Sequence, residues 1–420
     1  MATQSPVRTA AAGLIGNVLE WFDYAVYGTF TAAIGKQFFP ATLDPHDKQL
    51  LTWAIFWVGF AARPIGGLVL GMVGDRIGRR ALLTLSIAMM GGATLAIGLM
   101  PTYERIGIAA PILLVALRVI QGFSLGGEFT GSMVYTTELA SPLWRGIIAS
   151  STAAGTTLGF LLGSLTAWIV NTSLGTEAAN DWGWRIPFIG SVLLCVLGFL
   201  LRRGVHETEQ AAKAAAQRAP ILKSLLADWK PIVQTFGIAA MANAAYYLTI
   251  TFANEHRKAA EPMHASVFQL MTTLSLVVVL GGKIFGGWLS DRVGRRRLMI
   301  GLTVALMAVI YLGQRFMLYG SPGVFLLGQI LIGIPLAMAL GLQGAMIVEI
   351  FPLRTRVTSM SFAYGVTIAL AGGLMPLIAT WLIDKAGSPM APAFYVMIYG
   401  LIGLPIMLGM RETNDRSLDV

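Results

Sequence analysis

The sequence predicts an all-α membrane protein: twelve transmembrane helices in two six-helix halves around a central cavity. Three observations predict this. Of 420 residues, 55% are hydrophobic and only 12% charged, whereas soluble domains carry about 25% charge. The apolar residues gather in repeated runs of about 20, the length that crosses a bilayer as a helix. A basic loop in the first half of the chain also recurs in the second, the sign of duplicated halves.

The runs place twelve spans at about 11–34, 50–71, 81–100, 109–136, 147–170, 186–201, 231–253, 266–289, 298–318, 323–348, 358–384 and 393–410. Residues 202–230 form the one long polar connection, so 1–201 and 231–420 read as the two halves and 202–230 as their linker. Forty-eight glycines suit closely packed membrane helices. No cleavable signal peptide is expected, because the first apolar run is long and holds Glu20 and Asp23. Of the 30 Lys and Arg, 19 fall on the side of the termini and the linker and 7 on the other, with 4 inside spans. The positive-inside rule then puts both termini in the cytoplasm.

The net charge of +9 is spread over short loops, which argues against a nucleic-acid partner. The single cysteine, Cys195, excludes a disulfide framework. No GxxxxGK[ST] loop, HExxH pair or nucleophile elbow is present, and the four histidines are read in loops. An ATP-driven pump or a membrane-embedded enzyme is therefore not expected, and no cofactor or metal is called for.

Span four carries the sharpest functional signal. Arg118, Gln121, Leu125, Glu128, Ser132 and Tyr135 share one helical face. Arginine and glutamate in a membrane helix cost about 2.5–3.5 kcal/mol each, so the stripe is expected to face a watery pathway. In span one, Glu20, Asp23, Tyr24 and Tyr27 form a second stripe, with Asn17 one turn before. At about 1.5 Å of rise per residue, Asp23 and Arg63 lie at similar depth near mid-bilayer. Arg118 falls near Tyr27, and Glu128 near Asn17.

Buried acids there can take up and release protons. Asp23 ranks first for proton coupling, Glu128 second and Glu20 third, with Arg63 the expected partner of Asp23. The competing reading is a static ion-pair network tying spans one, two and four. Arg118 is either a bidentate clamp for a substrate carboxylate or a counter-charge for an acid. Asn243, Tyr246 and Tyr247 of span seven and Tyr364 of span eleven are candidate lining from the second half, the tyrosine faces suiting a quaternary ammonium. Gly155, Gly159 and Gly163 read as packing.

Gly71-Met-Val-Gly-Asp75-Arg76-Ile-Gly78-Arg79-Arg80 recurs as Gly287-Trp-Leu-Ser-Asp291-Arg292-Val-Gly294-Arg295-Arg296. A weaker echo matches Glu138, Pro142 and Arg145 to Glu349, Pro352 and Arg354. The GxxxDRxGRR loop resembles the signature of the major facilitator superfamily, and Arg118-Val-Ile-Gln121-Gly122 resembles its fourth-span motif. Gly16-Asn17-Val-Leu-Glu20-Trp21-Phe22-Asp23-Tyr24, Arg63-Pro64-Ile-Gly66-Gly67, Gln121 to Glu128 and Asp181 to Phe188 are similar to the metabolite:proton symporters. That family includes proline/betaine, 2-oxoglutarate, citrate and shikimate transporters.

The resemblance implies a bacterial inner-membrane, multi-pass monomer that takes up a small carboxylate-bearing metabolite, an organic acid or a zwitterion, together with protons by alternating access. The energy source would be the proton gradient, and the partners the substrate, protons and the lipid bilayer. The duplicated loops, at Gly71, Asp75, Arg76, Gly78 and Arg79 and at Asp291, Arg292 and Arg295, read as a conformational latch, the alternative being ordinary positive-inside anchoring. A proton-coupled exporter on the same fold is the alternative, disfavoured because span five lacks the Gly-Pro pair of drug antiporters. Two departures stand out. Lys283 replaces an uncharged residue and is expected either to snorkel to the cytoplasmic surface or to contact an anion. Thr251-Phe-Ala-Asn254-Glu255-His256-Arg257 replaces the usual Thr-Tyr-Met-Pro run.

Overall fold

The computed structural model describes residues 6–77, 79–202, 221–414 and 418, with the side chains of these except at 6–16, 71–72, 74–77, 79–84, 198 and 200–202. Twelve helical segments follow the predicted order. The first half comprises α1 (Pro6–Thr29, continued by Thr31–Phe38), α2 (Pro45–Ala61, then Arg63–Ile77), α3 (Arg79–Leu99), α4 (Ala109–Leu125, then Glu128–Leu139), α5 (Arg145–Leu174) and α6 (Arg185–Arg202). The second comprises α7 (Trp229–Tyr246, Tyr247–Phe252, Ala253–Ala260), α8 (Ala265–Val293), α9 (Arg295–Tyr319), α10 (Pro322–Ile350), α11 (Arg356–Thr367, Ile368–Gly373, Met375–Ala386) and α12 (Ala391–Leu408). No strand occurs among the described residues. Nine of their helices are long and apolar enough to cross a membrane, and Leu85–Leu99 and Arg185–Leu197 are shorter apolar helices.

The polarity of the bundle is that of a protein dissolved in lipid. Leu193, Leu401 and Ile112 are at least 60% exposed on its outside, whereas Arg63, Arg118, Lys283, Arg295 and Arg356 are no more than 3% exposed within it. An apolar exterior costs nothing against acyl chains, and buried charges find partners only inside.

Local chemistry sets the helix ends. Asp44 caps α2, its carboxylate accepting from His46 N at 2.8 Å, with Pro45 preset for the first turn. Gly294 ends α8 at φ +99°, a conformation that only glycine adopts readily. α4 breaks at Gly126 and Gly127, and α2 beside Pro64. At that crossing the two backbones touch: a Cβ on Gly122 would lie 1.8 Å from Gly59 O. The run Arg118-Val-Ile-Gln-Gly is thus as much a packing motif as a polar one.

Span boundaries fall within a few residues of expectation except at the end of α7. The stretch Asn254–Arg257, read as an outer loop, is helix up to Ala260, and His256 lies stacked on Phe252 rather than in a loop. The polar groups are satisfied locally, so the helix can continue. Lys258 Nζ reaches Glu255 at 2.8 Å, and Arg257 donates to the carbonyls of Leu318 and Gly320. His46 also lies in a helix, in the first turn of α2.

A methyl group at Gly122 must push α2 and α4 apart, an overpacking cost of about 1–3 kcal/mol or more. Gly122→Ala is expected to lower the melting temperature in detergent or to abolish folding. Gly131→Ala, whose Cβ meets nothing within 4 Å, is expected to be neutral or mildly stabilising. Equal melting of the two variants would contradict the packing account.

Candidate functional site

Three layers of polar residues cross the bundle, and the first lies inside the first half. Asp23 on α1 accepts from Arg118 Nη1 at 2.7 Å and from Gln121 Nε2 at 2.9 Å, both on α4. Gln121 also accepts from Arg118 and donates to Thr94 on α3. The Arg118 guanidinium sits 3.7 Å from the Tyr27 ring centre and 5.0 Å from that of Tyr24. Arg63 pairs with Glu20 at 3.3 Å and lies within 4.9 Å of the rings of Trp21, Tyr24 and Phe60.

Two expectations therefore change. The partner of Asp23 is Arg118, and Arg63 goes to Glu20 one helical turn away, because α4 presents its arginine against α1 and α3. Arg118, Gln121, Asp23, Tyr24 and Tyr27 do not line the cavity between the halves; Asp23, Arg118 and Gln121 bond one another behind it, with the two tyrosine rings against the guanidinium. Asn17 is buried on the same helix, and Glu128 is half-buried in the first turn of the second α4 segment.

The second layer is that cavity, about 20 Å³, with room for little more than one water. Trp21, Phe129 and Phe160 wall it from the first half. Asn243, Tyr246, Tyr247, Gln343 and Tyr364 face them from the second. Asn243, Tyr246, Tyr247 and Tyr364 thus lie where the sequence places them. The α7 turn that carries Tyr247 is widened, a distortion frequent at functional sites. Lys283 also lines the cavity. Its ammonium donates to Ala153 O at 3.0 Å and Thr156 Oγ1 at 2.9 Å on α5 of the other half. It does not snorkel, because a buried carbonyl and hydroxyl lie closer to it than the surface.

The third layer ties the halves at their two faces. On the face of the α8–α9 turn, Asp291 accepts from the first two backbone amides of α5 past its start, Gly146 at 2.8 Å and Ile147 at 3.1 Å. Arg295 binds both Asp291 and Glu349, and Arg145 reaches Glu349 at 3.4 Å. Arg356 pairs with Glu138 at 2.7 Å. Glu349 and Arg356 each stand 211 residues after Glu138 and Arg145, so the two pairs are exchanged between the halves. The echo noted in the sequence should thus align Arg145 with Arg356, not Arg354. Those four charges were missed as site residues, and that spacing was the signal for them.

Of the expected latch, Asp291 and Arg295 cross or brace the interface, whereas Arg292 lies over Trp288 of its own helix. Gly78 lies outside the described residues, as do the side chains of Asp75, Arg76 and Arg79; Gly71 is placed only as part of α2. On the opposite face, Ser164 and Thr273 meet at 2.7 Å and Lys258 donates to Thr29 O at 3.0 Å. The halves touch at both faces.

The comparisons agree with this architecture. Residues 9–219 match the family profile "Sugar (and other) transporter", and residues 235–418 match "Major Facilitator Superfamily". The "Proline/betaine transporter" of Salmonella typhimurium is 33% identical over 98% of this chain and 84% of its own length. The chain belongs to the major facilitator superfamily. It is a multi-pass membrane transporter, not an enzyme, and such transporters carry small molecules. The Dickeya dadantii "Glycine betaine/proline/ectoine/pipecolic acid transporter OusA" is equally similar, at 33% over 98% and 84%.

Among solved structures, the proton:xylose symporter XylE bound to 6-bromo-6-deoxy-D-glucose superposes with a TM-score of 0.79 at 19% identity, covering 99% of this chain and 98% of its own. The score falls to 0.71, at 20% identity and 99% and 98% coverage, for the inward-open form of XylE from E. coli.

Outside the spans, Glu412 accepts from the Arg296 and Thr413 amides, closing the start of α9. Burial alone would raise its carboxyl, but the backbone N–H groups around it outweigh burial and hold it below its ordinary value of 4.5. A depressed carboxylate adds stability above that value and loses it as pH falls through the folded one. Glu412→Ala is expected to melt a few degrees lower at pH 7, with the gap closing below about pH 4. A gap unchanged across that range would contradict the cap. For the exchanged pairs, breaking a buried ion pair costs about 3–5 kcal/mol. Glu138→Arg and Arg356→Glu should each melt lower than the parent, and the double exchange should recover most of the loss; additive losses would rule out the pairing.

Proposed function

We propose that this protein is a secondary transporter that couples inward proton flow to uptake of a small carboxylate-bearing metabolite. It would work as a monomer in the bacterial inner membrane, with both termini in the cytoplasm. The observation that carries the coupling is the buried Asp23–Arg118 pair, which Gln121 also bonds and links to Thr94. A proton on Asp23 cancels one partner of a guanidinium held in apolar surroundings, so the pair must loosen and α1 must move relative to α4.

Movement of α1 reaches the cavity by contact. Trp21 is on the same helix, its ring lies 4.9 Å from the Arg63 guanidinium, and it walls the cavity. Phe60 of α2 packs against Tyr247 of α7 at 5.4 Å, carrying the movement into the second half. The names of the relatives, which speak of proline and betaine, support a zwitterion with one carboxylate. The basic side of the membrane helices, by charge bias, is the one bearing Asp291, which makes the exchanged ion pairs the inner gate. The ties at Ser164, Thr273 and Lys258 would then form the outer one.

In proteoliposomes, an inward proton gradient is expected to accelerate uptake of labelled proline or glycine betaine. Asp23→Asn should remove at least tenfold of that acceleration while leaving exchange of internal for external substrate largely intact. Gradient-driven uptake that survives the substitution would overturn the assignment of Asp23. Uptake indifferent to the gradient in the parent would overturn symport itself.

A further inference from the structure

We propose that Lys283 anchors the substrate carboxylate and restricts this carrier to small compounds with a single carboxylate group. The inference rests on the transporter reading above and adds the substrate class and the residue that selects it.

Among the described residues, every other buried cation has a carboxylate. Arg63 has Glu20, Arg118 has Asp23, Arg145 and Arg295 share Glu349, Arg257 has Glu261 and Arg356 has Glu138. Lys283 is 3% exposed, and among the described residues its hydrogen-bonding partners are a carbonyl and a hydroxyl, both neutral. An ammonium out of water is far better matched by an anion than by neutral dipoles. The cavity it faces contributes no acidic residue of its own to the lining.

The surroundings are also those of a carboxylate site. The hydroxyls of Tyr246 and Tyr247 are buried in the same cavity without a hydrogen-bond partner. The Tyr246 ring centre lies 5.4 Å from the ammonium, and the two unpartnered hydroxyls in the same cavity are donors available to the oxygens of one carboxylate. The cavity of about 20 Å³ must widen to admit a substrate, and its aromatic wall of Trp21, Phe129 and Phe160 would then face the rest of the molecule, whether apolar or a quaternary ammonium. A second carboxylate would enter this space with no counter-charge. The resting partners of Lys283 both lie on α5 of the first half. A carboxylate that takes over the ammonium therefore releases α8 from α5, so that loading the site unties the halves where they meet.

Thermal-shift titration of the purified full-length protein, with no gradient, tests this with matched probes. Proline and glycine betaine should stabilise the parent; prolinamide and choline, which lack the carboxylate, should not, and succinate should bind at least tenfold more weakly than proline. Lys283→Gln should lose at least tenfold in affinity for proline, and Lys283→Arg should keep most of it. Removing a buried ammonium should not lower the melting temperature without ligand, which serves as the folding check. Undiminished proline binding by Lys283→Gln overturns the proposal, as does stabilisation by choline or prolinamide equal to that by the acids. It also fails if succinate binds as tightly as proline, or if neither acid stabilises the parent. Because the titration needs no gradient, Lys283-dependent binding with gradient-blind uptake would sink only the symport reading.

Discussion

The structure depends on one electrostatic constraint: an ionised side chain withdrawn from water into an apolar bundle must meet its opposite. The cost of leaving one partner alone is about 3–5 kcal/mol, a large share of the stability of any fold. The chain meets the constraint in two ways. Asp23–Arg118 and Glu20–Arg63 close within the first half, where neither partner need move when the halves separate. Glu138–Arg356 and Arg145–Glu349 close across the halves and must break if that face opens. Among the described residues, Lys283 is the one buried cation answered only by neutral groups, and it too reaches across.

Around these charges the packing is built for sliding rather than for rigidity alone. Backbones of α2 and α4 meet through Gly59 and Gly122, and α5 meets α8 through Gly146 and Gly287. Small residues let helices approach closely without interlocking side chains. A belt of rings, from Trp21 through Tyr24 and Phe60 to Tyr247, links the charge layer of the first half to the wall of the cavity. In the proposed cycle this belt carries the effect of a proton on Asp23 to the substrate.

Much of this was legible in the residues. Twelve apolar runs, the duplicated basic loop and the superfamily resemblance were enough for the fold. Asn243, Tyr246 and Tyr247, clustered within five residues, and Tyr364 read as candidate lining as readily as core, and the structure sets them at the cavity. The pairing of charges was not legible, because depth along a helix does not say which neighbour it faces. Depth alone sets Arg63 level with Asp23 and Arg118 a turn away near Tyr27, yet the packing of α4 against α1 gives Asp23 to Arg118 and leaves Arg63 to Glu20. Lys283 was misread for a related reason. Snorkelling is the cheapest escape for an isolated helix, but a neighbouring helix from the other half offered a carbonyl at 3.0 Å. The end of α7 was missed because its charged residues read as solvated loop, when each is neutralised by a partner inside the bundle.

The central claim is that the cross-half ion pairs hold one face shut and that the two faces open in alternation. Distances between spin labels test it most directly, with Cys195 replaced and label pairs at exposed sites. Leu143 with Leu408 would report on the face of Asp291, and Ile108 with Met263 on the other. Removing the shared acid by Glu349→Gln should lengthen the first distance by several ångströms and leave the second unchanged or shorter. Lengthening of both together, or of neither, would contradict the account.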